Sequence, residues 1–433
     1  MKKISYILLC CVFFIGLKQI KADTIKIEND NLRKCVEVAL GKSNTTKDTE
    51  FDTNALAGLT EFTCGVNTSF IGHSAPCKDK TTGEQRFYDF GNEYNTLFSK
   101  MPNVTNLRFE CGGPSVNEID VTNNTKLEYL FVSGNNLSKI NGLTNLKDLV
   151  LLWAPYNNFE NIDLTQNVKL RKLNLHFNNL NAIDLSKNVL LDYMWIGRNN
   201  LNSIDVSNNT KLKTLAVGTN NLTSLDVSKN LALQHLSFNN VEGGNNSIGS
   251  IDLSNNLELL TLITSNNIFS SKKLDLSKNN KLKMLNVANC GLEEINVDNT
   301  SLIIGPGDAE INDPNNTYED QLRYNYWINI SGNNLKTFNI NKVKTLKLSD
   351  LLITLENTTG VSSPYYLING NGSRCDVNGD GVINSLDYIL IKNDVNASKK
   401  IDDPLYYKRA DWDENYILDK SDYDAIKSIS MRK

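Results

Sequence analysis

Residues 170–190 read LRKLNLHFNNLNAIDLSKNVL, and three further copies follow without a gap from Leu191, Leu212 and Leu233. The register holds at 21 residues for four successive units. Each unit fits L-x-x-L-x-L-x-x-N-x-L-x-x-I-D-L-S-x-N, and a fixed period of this length marks a solenoid of stacked units. The L-x-x-L-x-L start alternates inward apolar and outward residues, as a short strand with one buried face must. Stacking the units sets these strands parallel. Beyond the strand the backbone turns a corner, leaving amide and carbonyl groups in an apolar interior where water cannot pair with them. An asparagine carries both a donor and an acceptor, so one per coil satisfies those groups and bonds along the stack.

The pattern extends both ways. Leu127, Leu130, Val132, Asn135, Leu137 and Ile140 fit every position, and Val104, Leu107 and Phe109 begin the coil before. LAGLTEFTC puts Leu59, Phe62 and Cys64 on the first apolar positions of an irregular opening coil. Its tail, past Pro76 and Gly83 to about Lys100, reads as an insertion carrying Cys77. The coil from Leu146 is expected to hold about three extra residues around Trp153, Ala154 and Pro155, and the one from Leu233 about five, at Val241 to Asn245. Leu282, Leu285, Val287, Cys290, Leu292 and Ile295 restore the period before a larger insertion from about Leu302 to Tyr324. Ile328, Ile330, Asn333, Leu335 and Phe338 form a late coil, and Val343, Leu346 and Leu348 the last strand. Cys290 stands at an asparagine position and reads as a buried structural thiol.

Ahead of the repeats, residues 23–58 carry a helical pattern, Leu32, Cys35, Val36, Ala39 and Leu40, with Gly41 as a stop signal. This segment reads as a cap. Residues 1–22 start with Lys2 and Lys3, run apolar from Ile4 to Leu17 and end at Ala22, the pattern of a secretory signal. About 14 apolar residues are short of the roughly 20 that span a bilayer. Cys10 and Cys11 lie inside it, but Leu9 stands where a lipoprotein signal has a small residue. The expected mature protein is therefore secreted, with no membrane span. Export permits disulfides. Cys35, Cys64, Cys77 and Cys111 are expected to form two bridges, with all three connectivities open.

The net charge of -4 argues against a nucleic-acid partner, which needs a dense basic stripe. Three histidines leave little for histidine-based catalysis. Asp163, Asp184, Asp205, Asp226, Asp252 and Asp275 recur once per coil, which suits a turn or surface role better than a catalytic one. Paired carboxylates in a cleft, a nucleophile motif and metal-spaced histidines are absent from the outward positions of the repeats, so no enzyme activity is expected.

Residues 356–374 lose the period and read as a linker. Beyond it DVNGDGVINSLD places Asp376, Asn378, Asp380, Val382, Asn384 and Asp387 at positions 1, 3, 5, 7, 9 and 12 of a calcium loop, with Gly381 for the sharp turn. A second loop, DWDENYILDKSD, sets Asp411, Asp413, Asn415, Ile417, Asp419 and Asp422 in the same roles. Tyr416 stands at its glycine position, and a bulky residue at positive φ is strained. Ile383 and Leu418, at position 8 of each loop, are expected to pair across. Two Ca²⁺ sites are expected. INGNGSRC cannot form an entering helix, so each loop has only its exiting one.

On these motifs residues 59–355 resemble the leucine-rich repeat family, and the I-D-L-S-x-N ending is similar to its short bacterial subclass called IRREKO. The cap leading into L-A-G-L-T is similar to those of internalin-like surface proteins. Residues 375–433 resemble a type I dockerin, the module that plugs exported bacterial proteins into the cohesins of a cellulosome-like scaffold. The resemblances imply an α/β-type solenoid with a parallel β-sheet on its concave face, joined to a small α-helical calcium-binding dockerin domain. By family position Ser385, Leu386, Lys392, Lys420, Ser421 and Lys427 would meet the cohesin. Tyr129, Phe131, Phe177, Tyr193 and Trp195 are read on outward strand positions, with Trp153 on an insertion nearby, as a ligand face for protein or carbohydrate. The expected function is a secreted non-catalytic interaction protein docked through calcium-dependent cohesin binding. The alternative is a cell-surface or glycan adhesin in which the calcium module is a structural cap.

Overall fold

A computed structural model describes residues 23–65, 68–69, 77–79, 87–241, 244–302, 328–330, 332–335 and 337–338. The calcium loops, the expected cohesin-facing residues and the last strand lie outside the described residues. Among those described, an 11-stranded parallel sheet follows chain order from Glu61–Cys64 through Asn106–Phe109 and Tyr129–Phe131 to Met284–Asn286 and Ile328–Asn329. In the regular coils each strand is three residues long, because only the x-L-x segment is straight between two corners. The central residue, such as Leu130, Leu152, Leu173, Met194 or Leu215, is fully buried. Each such side chain contributes about 1.5–3 kcal/mol through removal from water. One coil cannot bury this row alone, so stability comes from stacking.

The asparagine ladder forms as the spacing predicts. Asn178 Nδ2 donates to Ala154 O at 3.1 Å in the preceding coil and to Leu175 O at 3.0 Å in its own. Its Oδ1 accepts from Phe159 N at 3.2 Å. Asn135, Asn157, Asn199, Asn220 and Asn333 repeat the arrangement. In the coil with five extra residues Asn246 resumes the ladder after the loop at Val241 to Asn245, bonding Val217 O and Leu222 N. Cys290 is buried at this position, its thiol facing Thr264 O at 3.3 Å, and burial pushes its pKa up.

A second ladder was not read from the sequence. Asn124, Asn167, Asn188, Asn209, Asn230, Asn256 and Asn279, the last residues of the repeat, have no exposed surface. Asn188 Nδ2 donates to Leu164 O and Asn167 O, both at 3.0 Å, closing the corner that precedes the strand. On the side opposite the sheet, each repeating aspartate accepts the amide two residues on, as Asp184 does from Ser186 N at 2.9 Å. These are turns that the carboxylate closes. The bonds hold the pKa of Asp163, Asp184, Asp205, Asp226 and Asp252 below the ordinary carboxylate value.

One register expectation is corrected. Trp153 lies within the strand Leu151–Trp153, paired without a break between Phe131 and Asn174, and not on an insertion. The slack lies earlier, in the 3-10 turn Leu143–Asn145 that follows Gly142. Gly142 has φ 82°, and a Cβ there would meet Thr122 Cα at 2.5 Å. The reason is Leu146, which fills the buried corner that Asn167 fills one coil later, so anchoring the repeat on Leu146 displaces it.

The cap contains the helix Asp30–Ala39, whose N-cap Asn29 accepts from Leu32 N at 2.9 Å. Cys35–Cys64 ties this helix to the first strand of the sheet, and Cys77–Cys111 ties the inserted tail to the next coil. Within that tail the helix Tyr94–Ser99 buries Leu97 and Phe98, with Phe98 edge-on to Phe109 at 5.1 Å. Among the described residues no helix is long and apolar enough to cross a membrane.

Candidate functional site

Two rows of side chains flank the buried row on the outer face of the sheet. Register places Asn106, Tyr129, Leu151, Lys172, Tyr193, Thr214 and His235 in one. Arg108, Phe131, Trp153, Asn174, Trp195, Ala216 and Ser237 form the other. Parallel strands sit about 4.8 Å apart, so rings one or two coils apart make contact. Trp153 and Tyr193 stack with centroids 6.1 Å apart, and Trp195 lies 4.5 Å from the imidazole of His176. Trp153, Tyr193, Trp195, Ala216, Ile263 and Met284 form an apolar cluster separate from the main core, with Phe131 and Leu151 against it.

Of the residues read as a ligand face, the structure brings Phe131, Trp153, Tyr193 and Trp195 together. Tyr129 is 38 % exposed, whereas Trp153 and Tyr193 are each 8 % and Trp195 5 % exposed. Phe177 belongs elsewhere. It follows the strand Lys172–Asn174 by three residues, in the turn at the strand's carboxyl end, with φ 54°. Its ring lies against Tyr156 at 4.3 Å and 16°, and the Arg198 guanidinium caps it at 4.4 Å from the centroid. Tyr156, Phe177 and Arg198 each precede the ladder asparagine of their coil, which is the signal that could have found this row.

Two titratable features frame the sheet face. Arg108 lies over the Phe131 ring at 3.9 Å and pairs with Glu110 at 2.9 Å. Glu110 is buried and accepts from Ser133 Oγ at 2.7 Å, and burial raises its pKa despite the guanidinium. His235 faces Thr261 Oγ1 at 3.1 Å through Nδ1, and burial lowers its pKa to about 4. Burial also raises the pKa of Tyr156, keeping its phenol neutral.

Beside the Tyr156–Phe177–Arg198 row runs a groove of about 450 Å³. Phe87 closes one end, Gly113, Pro114 and Gly134 form part of the floor, and the amides of Asn136, Asn158 and Asn179 line it. Chemically it offers neutral donors and acceptors, ring surfaces and one guanidinium.

The family described as Dockerin type I domain matches residues 374–429. Type I dockerins are a calcium-binding family. Solved structures similar to the chain include the functional domain of InlJ from Listeria monocytogenes, described as including a cysteine ladder. It is 19% identical, with 73% of this chain and 76% of that chain covered and a TM-score of 0.39. The internalin InlF from the same species is 17% identical over 72% of this chain and 93% of that one, with a TM-score of 0.43. Internalin C2, also from Listeria monocytogenes, is 19% identical over 54% and 92%, with a TM-score of 0.39. No curated protein matches the chain. The chain thus combines a leucine-rich-repeat solenoid, seen in its strand register and asparagine ladders, with a C-terminal type I dockerin domain.

Proposed function

We propose that this chain is a secreted, non-catalytic interaction protein that joins a cellulosome-like assembly through its dockerin, while its repeats bind a protein or a carbohydrate. The observation that carries the reading is the dockerin match at 374–429, over two runs of alternating oxygen donors. Asp376, Asn378, Asp380, Asn384 and Asp387 offer the first ion carboxylate and amide oxygens, with Val382 contributing its carbonyl. Asp411, Asp413, Asn415, Asp419 and Asp422, with the Ile417 carbonyl, do the same for a second. Such donors suit a hard cation. Without the ion the clustered carboxylates repel, so metal binding and folding of the domain are linked. Ser385, Leu386, Lys392, Lys420, Ser421 and Lys427 are the proposed cohesin-facing side chains.

The test is surface-immobilised cohesin from the same genome, probed with the full chain in calcium and in chelator. Calcium-dependent binding is expected, abolished in Asp376→Ala/Asp411→Ala with the solenoid's circular dichroism unchanged. Binding indifferent to chelator, or none, would overturn the reading.

The aromatic cluster on the sheet face favours one other reading, a surface adhesin with the calcium module as a cap. Binding to cells that is weakened by Tyr129→Ala, in a chain that binds no cohesin, would support it.

A further inference from the structure

The turn position before the ladder residue has a left-handed backbone in most coils, Asn245 before Asn246 being an exception. Gly134, Asn266, Asn289 and Gly332 occupy it elsewhere with φ between 56° and 65°, and Thr219 with φ 55°. Glycine and asparagine are what such a position favours. Tyr156, Phe177 and Arg198 nevertheless stand there at φ 57°, 54° and 53°. A bulky residue in this region costs about 1–2 kcal/mol. Core packing does not account for that cost, because all three side chains are only half-buried and project beside the groove.

We infer that this groove, at the carboxyl ends of the strands and distinct from the sheet face, is an oligosaccharide-binding site walled by Tyr156, Phe177 and Arg198. The inference rests on the proposal that the repeats are the ligand-binding part and names the ligand class and the place. From Gly134 to Arg198 the groove crosses three coil steps, about 14 Å at the spacing of parallel strands. That length suits a chain of several sugar rings. The end wall is built by a different part of the chain, since Phe87 is held beside Gly113 by the bond from Tyr88 N to Cys111 O at 2.7 Å. A Cβ on Gly113 would come within 2.8 Å of Phe87, so the glycine is what lets the wall approach.

The lining selects among ligand classes. Among the described residues Arg198 is the one charged side chain in it, which suits neither a polyanion nor a metal ion. An extended peptide would need backbone groups to pair with. Those of the turn are already paired within the solenoid, Phe177 N to Gly197 O at 3.1 Å and Asn178 N to Arg198 O at 3.2 Å. What remains is one side-chain amide per coil beside ring surfaces, with Asn158 Nδ2 donating to Asn136 Oδ1 and so leaving the Asn136 donors, the Asn158 acceptor and both ends of Asn179 to a ligand. Hydroxyls alternating with C–H faces on a sugar chain are complementary to that pattern.

Calorimetric titration of the full chain with cellohexaose, maltohexaose and hexagalacturonate separates β-linked, α-linked and acidic chains. Cellohexaose or maltohexaose is expected to bind with a Kd below about 1 mM, and hexagalacturonate to bind no more tightly than these neutral chains. Tyr156→Gly/Phe177→Gly, which relieves the backbone, should weaken it at least about tenfold with the melting temperature essentially kept. If that variant fails to fold, Asn158→Ala/Asn179→Ala on the exposed groove wall should give the same loss. No binding of any probe at about 10 mM, or equal affinity in both groove variants, overturns the inference. Affinity lost in Tyr129→Ala but kept in the groove variants would place the sugar on the sheet face, leaving the broader proposal standing and this one refuted.

Discussion

The rings of Tyr156 and Phe177 lie parallel to within 16° and 4.3 Å apart, although both residues hold a left-handed backbone. Stacking and strain oppose one another here, which makes the position separable by mutation. Phe177→Gly loses the stack, worth about 0.5–1.5 kcal/mol, but also loses the unfavourable φ. Its stability should stay within about 1 kcal/mol of wild type. Phe177→Val puts a β-branched side chain at the same φ without the ring, and should destabilise by about 2 kcal/mol or more. Urea unfolding of the two variants side by side checks the order.

The second asparagine ladder should matter more than its surface-like sequence suggests. Asn188→Leu removes the side-chain donor from Leu164 O and Asn167 O, which then keep only the backbone bonds from Asn167 N and Leu170 N in a dry corner, at about 0.5–1.5 kcal/mol for each bond lost. Asn200 donates to Asn179 O at 3.3 Å but is exposed, so Asn200→Ala should fall within about 0.5 kcal/mol. Chemical denaturation of both variants decides whether burial, rather than residue type, sets the effect.

Glu110 and His235 make opposite contributions to the pH dependence of stability. Burial raises the Glu110 pKa above its ordinary 4.5, so its contribution is complete below that value and is lost as pH rises through the folded pKa. Burial lowers the His235 pKa from 6.5 to about 4, so its contribution is present above 6.5 and is lost as pH falls towards 4. Melting temperatures of Glu110→Gln and His235→Gln from pH 4 to 8 should each show the matching slope removed relative to wild type.

Peptide mapping without reduction should recover Cys35 with Cys64 and Cys77 with Cys111, leaving Cys290 as a thiol. Replacing Cys35 and Cys64 by alanine should cost about 2–4 kcal/mol, read as an earlier unfolding transition. Hydrogen exchange should place that loss in the helix Asp30–Ala39 and the strand Glu61–Cys64, because those are the elements the bridge joins.

The period alone determined the solenoid, the buried leucine row and the first asparagine ladder, because a coil repeated 21 residues on must present the same residue to the same neighbour. Local spacing pointed to a turn or surface role for the repeating aspartates, and it is also what the proposed calcium-loop donors rest on. Tertiary structure decided what spacing leaves degenerate. Three cysteine pairings were equally consistent with the chain, and only the approach of the helix Asp30–Ala39 to the strand Glu61–Cys64 selects one. Leu146 looks like a strand leucine but fills an asparagine corner, so Trp153 enters the sheet face where the pattern alone would set it on an insertion of the same coil. Phe177 looked like a partner of Tyr193 and Trp195. A backbone turn of positive φ carries it instead to the edge of the sheet, beside Tyr156 and Arg198, where residues 21 apart in sequence become stacked neighbours.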